Sequence, residues 1–354
     1  MKIALITDTH FGARNDNPAF AKYFNKFYNE IFFPHIDKKN ITTVVHLGDT
    51  VDRRKFINYV TARNLKKNFM EPLKQRGIDT TFLIGNHDTY YKNTNEVNAL
   101  VELYETYNND FDIVWEPKEK TYDGLSIMML PWICSDNYDQ CMKAIDDTRA
   151  QVLFGHLELK GYQMQRGFIS DHGQDSNIFS KFDVVCSGHY HHKSSHGNIN
   201  YLGSPYEIFW SDYDDPKGFH IFDTETRELE FIWNPYSIFY KLKYDDLDKT
   251  MDEVIAMDLE PYRNAYVKVI VSNKTNPYWF DLLMDKVEKM GPVDIQVVED
   301  HFNLDLEEDT DIVDQAQDTI TILRNYVDSL KTNVDKKRLD SLMRELYNEA
   351  LTIA

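Results

Sequence analysis

Five times in the first 191 residues, a short apolar run ends abruptly at a glycine or a polar unit that carries Asp, Asn or His. Residues 3–7 lead into Asp8-Thr9-His10, residues 44–47 into Gly48-Asp49, and residues 82–84 into Gly85-Asn86-His87-Asp88. Residues 152–154 lead into Gly155-His156, and residues 184–187 into Gly188-His189-Tyr190-His191. The runs 2–7, 42–47, 79–84, 125–130, 151–154, 183–187 and 200–202 are rich in Val, Ile, Leu and Phe. Most are too short for helices and are bounded by Gly, Asp or Asn, so they predict buried strands. Longer amphipathic stretches at 18–39 and 57–75 predict helices between them. The alternation predicts an α/β fold with mixed sheets in layers. In such folds the carboxyl ends of strands gather the functional groups.

The pattern changes after residue 222. Segments 237–244, 265–271 and 293–298 read as strands, and 246–257 and 277–289 as helices. This βαβαβ order predicts a small separate domain over 237–300. An acidic stretch at 301–318, with seven acids and no Lys or Arg, reads as a linker. Apolar residues then recur at steps of three and four on both sides of Thr332-Asn333, which predicts a helical hairpin over 319–354.

The chain has 354 residues with 39 Lys+Arg against 58 Asp+Glu, a net charge of −19. Its 42% hydrophobic content excludes general disorder. The acidity is uneven: residues 1–222 carry 24 basic and 29 acidic side chains, and 223–354 carry 15 and 29. The first part is nearly balanced, so the global charge does not exclude a nucleic-acid partner. Three cysteines, Cys134, Cys141 and Cys186, make neither a disulfide framework nor a thiolate metal site. No apolar run approaches the roughly 18 residues of a membrane span, and the first strand begins too early for a signal peptide. A soluble, unexported chain is expected.

Asp, Asn and imidazole suit hard or borderline dications such as manganese, iron or zinc. A two-metal site needs a shared anionic ligand, and Asp49 is the natural bridge. The glycines before Asp49, Asn86, His156 and His189 predict sharp turns and close backbone approach. In Asp8-Thr9-His10 and His189-Tyr190-His191, the i, i+2 spacing is expected to put both ligands on one side of an extended segment.

The ordered set DxH, GD, GNHD, GH and GHxH resembles the calcineurin-like metallophosphoesterase superfamily over about residues 1–205. The resemblance implies a two-layer β-sandwich flanked by helices, with two metals at one edge. It implies Asp8, His10, Asp49 and His191 for the first metal, and Asp49, Asn86, His156 and His189 for the second. It makes His87 a catalytic histidine that is not a ligand, and the GHxH register favours His191 over His192. Finer motifs resemble the SbcD and MRE-type DNA-repair nucleases, and among them the recombination-endonuclease subunits of T-even-like phages. They include Gly48-Asp49-Thr50-Val51-Asp52-Arg53-Arg54, Pro131-Trp132, Tyr201-Leu202-Gly203-Ser204-Pro205 and Asp215-Pro216-Lys217-Gly218-Phe219. Some cellular relatives have His where Asp52 stands, so no role transfers to Asp52. Asp88 reads as structural.

The resemblance implies a manganese-dependent exonuclease on duplex ends and endonuclease on single strands. It implies a dimer held with two SMC-like coiled-coil ATPase subunits, in the cytoplasm of an infected bacterium. It assigns 237–300 as a capping domain and the terminal hairpin as the ATPase dock, although the hairpin's stripes could also pack on their own chain. Arg53, Arg54 and Lys55 are candidate phosphate contacts, and Arg63, Lys66, Lys67, Lys74 and Arg76 could extend them. Two other readings compete: a phosphoesterase on small diesters or phosphoproteins, and a metal-dead scaffold.

Overall fold

The computed structural model describes residues 1–104 and 110–299, together with 336, 338 and 339. The expected linker at 301–318 lies outside the described residues, as does the hairpin at 319–354 apart from those three.

Two six-stranded mixed sheets build the first 233 residues. The first runs in the order Leu229–Trp233, Gly218–Asp223, Lys2–Ile6, Thr43–His46, Asp79–Leu83, Phe111–Val114. Its four strands from Lys2–Ile6 onward are parallel, and the first two pair antiparallel. The second runs Ser194–His196, Ile199–Tyr201, Val184–Gly188, Val152–His156, Leu125–Leu130, Lys118–Tyr122, with four parallel strands inside two antiparallel edges.

Side-chain alternation explains the layering. Ile3, Leu5, Val45, Leu83, Val152, Phe154 and Cys186 share one buried cluster that joins the two sheets. Their neighbours Ala4, Ile6, Val44 and Phe82 turn to the opposite face and pack on helices. On the second sheet, Met128, Leu153 and Val185 do the same against Cys141 and Ile145 of the helix Tyr138–Asp147. A strand buried on both faces reads as a continuous apolar run, which is why these strands stand out in the sequence.

The predicted helices at 18–39 and 57–75 form, each with a wider turn in the middle. Tyr28–Phe32 precedes Phe33-Pro34, and Lys66–Met70 precedes Glu71-Pro72. Proline lacks the amide proton and its ring crowds the carbonyl four residues back; a locally widened helix accommodates both.

A third sheet holds Phe239–Asp245, Tyr266–Asn273 and Asp294–Glu299, all parallel. The βαβαβ order is the expected one, but the first helix is shorter, Met251–Ile255. Asp246 does not start it. Its carboxylate accepts the backbone amides of Thr275 (2.7 Å) and Asn276 (2.8 Å) and the Tyr244 hydroxyl (2.9 Å). The helix starts instead at a capping box between Thr250 and Glu253. Glu207 ties this sheet to the sandwich by accepting the amides of Ile238 and Phe239.

Candidate metal centre

The parallel strands of both sheets end at a common edge, and the loops leaving them meet there. Asp8, His10 and His191 form one group of candidate ligands; Asp49, His156 and His189 form a second; His10, Asp49 and His87 form a third. Within each group the ligand atoms lie within 4.8 Å of one another. His10 Nε2 faces His191 Nε2 at 3.1 Å. Asn86 Oδ1 lies 3.1 Å from His156 Nε2 and 3.0 Å from His189 Nδ1. Asp49 Oδ2 stands between the groups, 3.4 Å from His156 Nε2 and 3.8 Å from His10 Nε2. All seven expected ligands therefore converge, with Asp49 in the middle.

The backbone does this by a different route from the expected one. Asp8 (φ 52°), His10 (φ 40°), Asp49 (φ 54°) and His189 (φ 86°) all have positive φ. The segment Asp8-Thr9-His10 is thus coiled, not extended, and two left-handed residues bring its ligands together. Non-glycine residues in this region are strained, and such strain persists where the surroundings over-determine it. Gly48, at φ 103°, has no room for a side chain: a Cβ would sit 2.4 Å from His156 Nδ1. At Gly85 a Cβ would sit 2.2 Å from Asp49 Oδ1. Gly155 differs, since a Cβ there would meet only the Leu157 side chain at 3.1 Å and the Leu130 carbonyl at 3.2 Å.

Surrounding groups fix which nitrogen of each ring faces inward. His156 Nδ1 donates to the Leu47 carbonyl at 2.7 Å, leaving Nε2 toward Asp49 and Asn86. Asp52 Oδ1 lies 3.4 Å from His10 Nδ1, leaving Nε2 toward His191. Asp8 accepts from Thr7 Oγ1 at 2.8 Å and from the His189 amide at 3.1 Å. Of the adjacent pair His191 and His192, only the first faces the cluster: His192 Nδ1 donates to Asp215 at 2.8 Å, away from it. Lys217, buried, donates to the His191 carbonyl (2.8 Å), Asp212 (2.7 Å) and Asp215 (2.9 Å). The Ser204 amide donates to the same carbonyl at 3.1 Å. The two motifs around Ser204 and Lys217 are thus braces for the last histidine loop.

Carboxylates this deeply buried call for positive charge. Burial disfavours a charged His10, but Asp52, Asp49 and Asp8 outweigh it and raise its pKa to about 9. Burial likewise opposes a charged His156, and Asp49 overrides it, again to about 9. His189 is pushed down to about 3 by burial and by His156. The buried carboxylates thus draw positive charge to this edge, which dications would supply. Asn86 Nδ2 is buried without a hydrogen-bond partner, while its oxygen is aimed between two imidazole nitrogens. Two metal–nitrogen bonds of about 2.1 Å at a near right angle span roughly 3 Å, which matches the nitrogen pair of His10 and His191. The donor set fits two borderline dications.

His87 is half-buried beside this cluster, its ring edge-on to His10 at 4.8 Å. Its Nδ1 donates to the Asp52 carbonyl at 2.6 Å and its amide to Asp49 Oδ1 at 2.8 Å. Asp88 binds the amides of Thr50, Val51 and Gly85, so it clamps two ligand loops together, as its structural reading expected. Burial first, and Asp49 second, raise its pKa to about 7.

The phosphate-contact candidates fare less uniformly. Arg53 is bound to Asp16 (3.0 Å) and Asn15 (2.8 Å). Arg54 is half-buried and Lys55 exposed. Lys74 and Arg76 pair with Asp110 and Asp37, while Arg63, Lys66 and Lys67 are exposed. The three cysteines are buried and free.

Sequence reasoning missed Asp52, which touches both His10 and His87. It also missed His46, which sits behind the metal loops. The Gly48 amide donates to His46 Nδ1 (3.2 Å), so His46 Nε2 carries the proton toward Thr9 Oγ1 at 2.9 Å. Asp52 could be singled out by its place three residues after the bridge; His46 looks like any strand residue. Trp132 covers the second group, its ring 5.1 Å from His189.

A two-sheet sandwich with this donor set at one edge is the architecture of a metal-dependent phosphoesterase. The chain belongs to the calcineurin-like phosphoesterase family, whose model matches residues 1–193, and it is a metal-dependent phosphodiester hydrolase. It is 30% identical over 353 residues to exonuclease subunit 1 of Enterobacteria phage T4, covering 99% of each chain. It is 29% identical over 157 residues to the SbcD subunit of the nuclease SbcCD from Staphylococcus epidermidis, covering 41% of this chain and 37% of that one. Among the described residues, no helix is long and apolar enough to cross a membrane.

Proposed function

We propose that this chain is the nuclease subunit of a DNA-processing complex. It cuts duplex ends as an exonuclease and single strands as an endonuclease, with two manganese ions, in recombination and repair. The observation that carries the reading is the convergence of six donor side chains around Asp49. The full-length similarity to a phage exonuclease subunit supports DNA as the substrate.

Asp8, His10, Asp49 and His191 would hold one dication, and Asp49, Asn86, His156 and His189 the other. Bound there, the ions activate water and neutralise charge on the phosphate. His87 does the proton work. Its Nδ1 is tied to the Asp52 carbonyl, so Nε2 faces the substrate and delivers a proton to the leaving oxygen. Asp52 keeps that ring and His10 in a fixed relation. The basic candidates Arg53, Arg54 and Lys55 suit phosphates, not base edges, so cleavage without sequence preference is expected.

The subunit names of the two relatives support a second polypeptide. We assign it as an SMC-like coiled-coil ATPase, docked on residues 319–354 through the linker 301–318. Two nucleases and two ATPases form the complex, and residues 237–300 cap the DNA over the metals. The complex works in the cytoplasm of an infected bacterium.

End-labelled duplex and single-stranded DNA, digested with manganese with and without the ATPase, tests this. Cleavage of both, stimulated by the partner, is expected. Intact DNA together with hydrolysis of a cyclic nucleotide or phosphopeptide would overturn it. Truncation after Asp309 is expected to keep cleavage and lose the ATPase on co-purification; an undiminished complex would refute the docking assignment.

A further inference from the structure

Arg53 is engaged in bracing a turn, and what the turn holds is another arginine. Arg14, Asn15 and Asp16 follow one another at φ 55°, 60° and 58°. Three successive non-glycine residues thus form a left-handed turn, in which each Cβ crowds the following carbonyl. The surroundings enforce it. Arg53 grips both Asn15 and Asp16, and Thr61 Oγ1 donates to Asp16 at 2.6 Å. The turn begins four residues after the ligand His10 and sets the direction in which the Arg14 side chain leaves the backbone. Its guanidinium carbon lies 5.9 Å from the centre of the Phe209 ring. Phe209 in turn stacks on His191, with centroids 5.7 Å apart and planes at 18°. Among the described residues no carboxylate pairs with Arg14, which is half-buried.

A positive charge one ring away from a metal ligand, paired with no acid among the described residues, is placed to take an anion from outside. We propose that Arg14 grips the phosphate next to the scissile one and so sets the register of the DNA strand on the centre. The planar guanidinium fork suits a phosphate bidentately, and the Phe209 ring lies beside it. The proposal rests on the nuclease reading and adds to it a residue that the Arg53–Lys55 run does not contain. Arg14 contacts the strand; it takes no part in proton transfer.

The test uses Arg14→Asn, because asparagine tolerates the left-handed conformation, and Arg14→Lys, which keeps the charge and loses the fork. Binding of a fluorescent duplex by the full chain is titrated against potassium chloride, alongside steady-state cleavage and manganese stoichiometry. One lost phosphate contact reduces the slope of log affinity against log salt by about 0.9. Arg14→Asn is expected to show that reduction, with the loss of cleavage falling on KM by about tenfold. Arg14→Lys is expected to keep the slope. An unchanged slope and KM in Arg14→Asn would overturn the proposal and leave the nuclease reading intact. Loss of manganese in that variant would make Arg14 a structural brace and overturn it too. If the unaltered chain neither binds nor cuts DNA, the nuclease reading fails and takes this proposal with it.

Discussion

The two halves of the candidate centre are built by different means. Around Asp8, His10 and His191 the supports are charged: Asp52 stands beside His10, and the buried Lys217, Asp212 and Asp215 stand behind His191. Around Asn86, His156 and His189 the groups that touch the rings are neutral, the Leu47 carbonyl and the Trp132 ring, and the nearby carboxylate, Asp88, binds backbone amides instead of a ring. A buried ion network holds position firmly, but removing one member strands the others without a partner. A neutral support loses only one contact. The first half should therefore be the more fragile toward changes that touch no ligand.

Asp49 belongs to both halves, so Asp49→Ala should do the most damage. It is expected to abolish manganese-dependent cleavage and the spin-coupled manganese signal together; a surviving coupled signal would mean that another group bridges. His87→Ala comes next, with cleavage reduced by about 10²–10⁴ and both ions retained by stoichiometry. Loss of an ion in that variant would make His87 a ligand. Lys217→Met sharpens the contrast directly. Manganese affinity at one site should fall by about 10–100-fold while the other holds, whereas Trp132→Phe should change both by less than about threefold. Equal losses at the two sites in both variants would remove the distinction.

The smallest effect lies away from the centre. Burial pushes Glu207 from 4.5 up to about 7, although its carboxylate accepts two amides. Between pH 4.5 and 7 the unfolded chain ionises first, so this residue costs stability as pH rises through that window, and the loss is complete above 7. Glu207→Gln keeps an acceptor and removes the charge. Urea denaturation should show it more stable by about 1–3 kcal/mol at pH 8 and unchanged at pH 4. A constant difference across that range would mean the carboxylate is not the cause.

The strands that carry the ligands were readable because burial on both faces writes Val, Ile, Leu and Phe at consecutive positions. The antiparallel strands were not. Lys118–Tyr122 reads KEKTY, with one face in solvent and little apolar signal. Gly218–Asp223 hides behind a glycine and a histidine, His220, that only tertiary packing against Phe231 makes a core residue. At the site, spacing and residue type pointed to the ligands, because metal chemistry restricts both. The left-handed backbone that assembles them was not visible, since Asp and His adopt either hand and neighbouring loops decide which. Arg53 shows the limit from the other side: a basic run after the bridging Asp reads as phosphate-binding, yet Asp16 occupies its first member.

The strand Lys2–Ile6 has its two sheet neighbours in Thr43–His46 and Gly218–Asp223. The second of these is made by the ribosome more than two hundred residues after the first strand, and the loop of His189 and His191 also comes late. Contacts of such long sequence separation form only after loop closure. A growing chain thus carries Asp8, Asp49 and Asn86 long before it has the sheet that completes them. The metal centre therefore stays incomplete until the last of these strands and loops has been made.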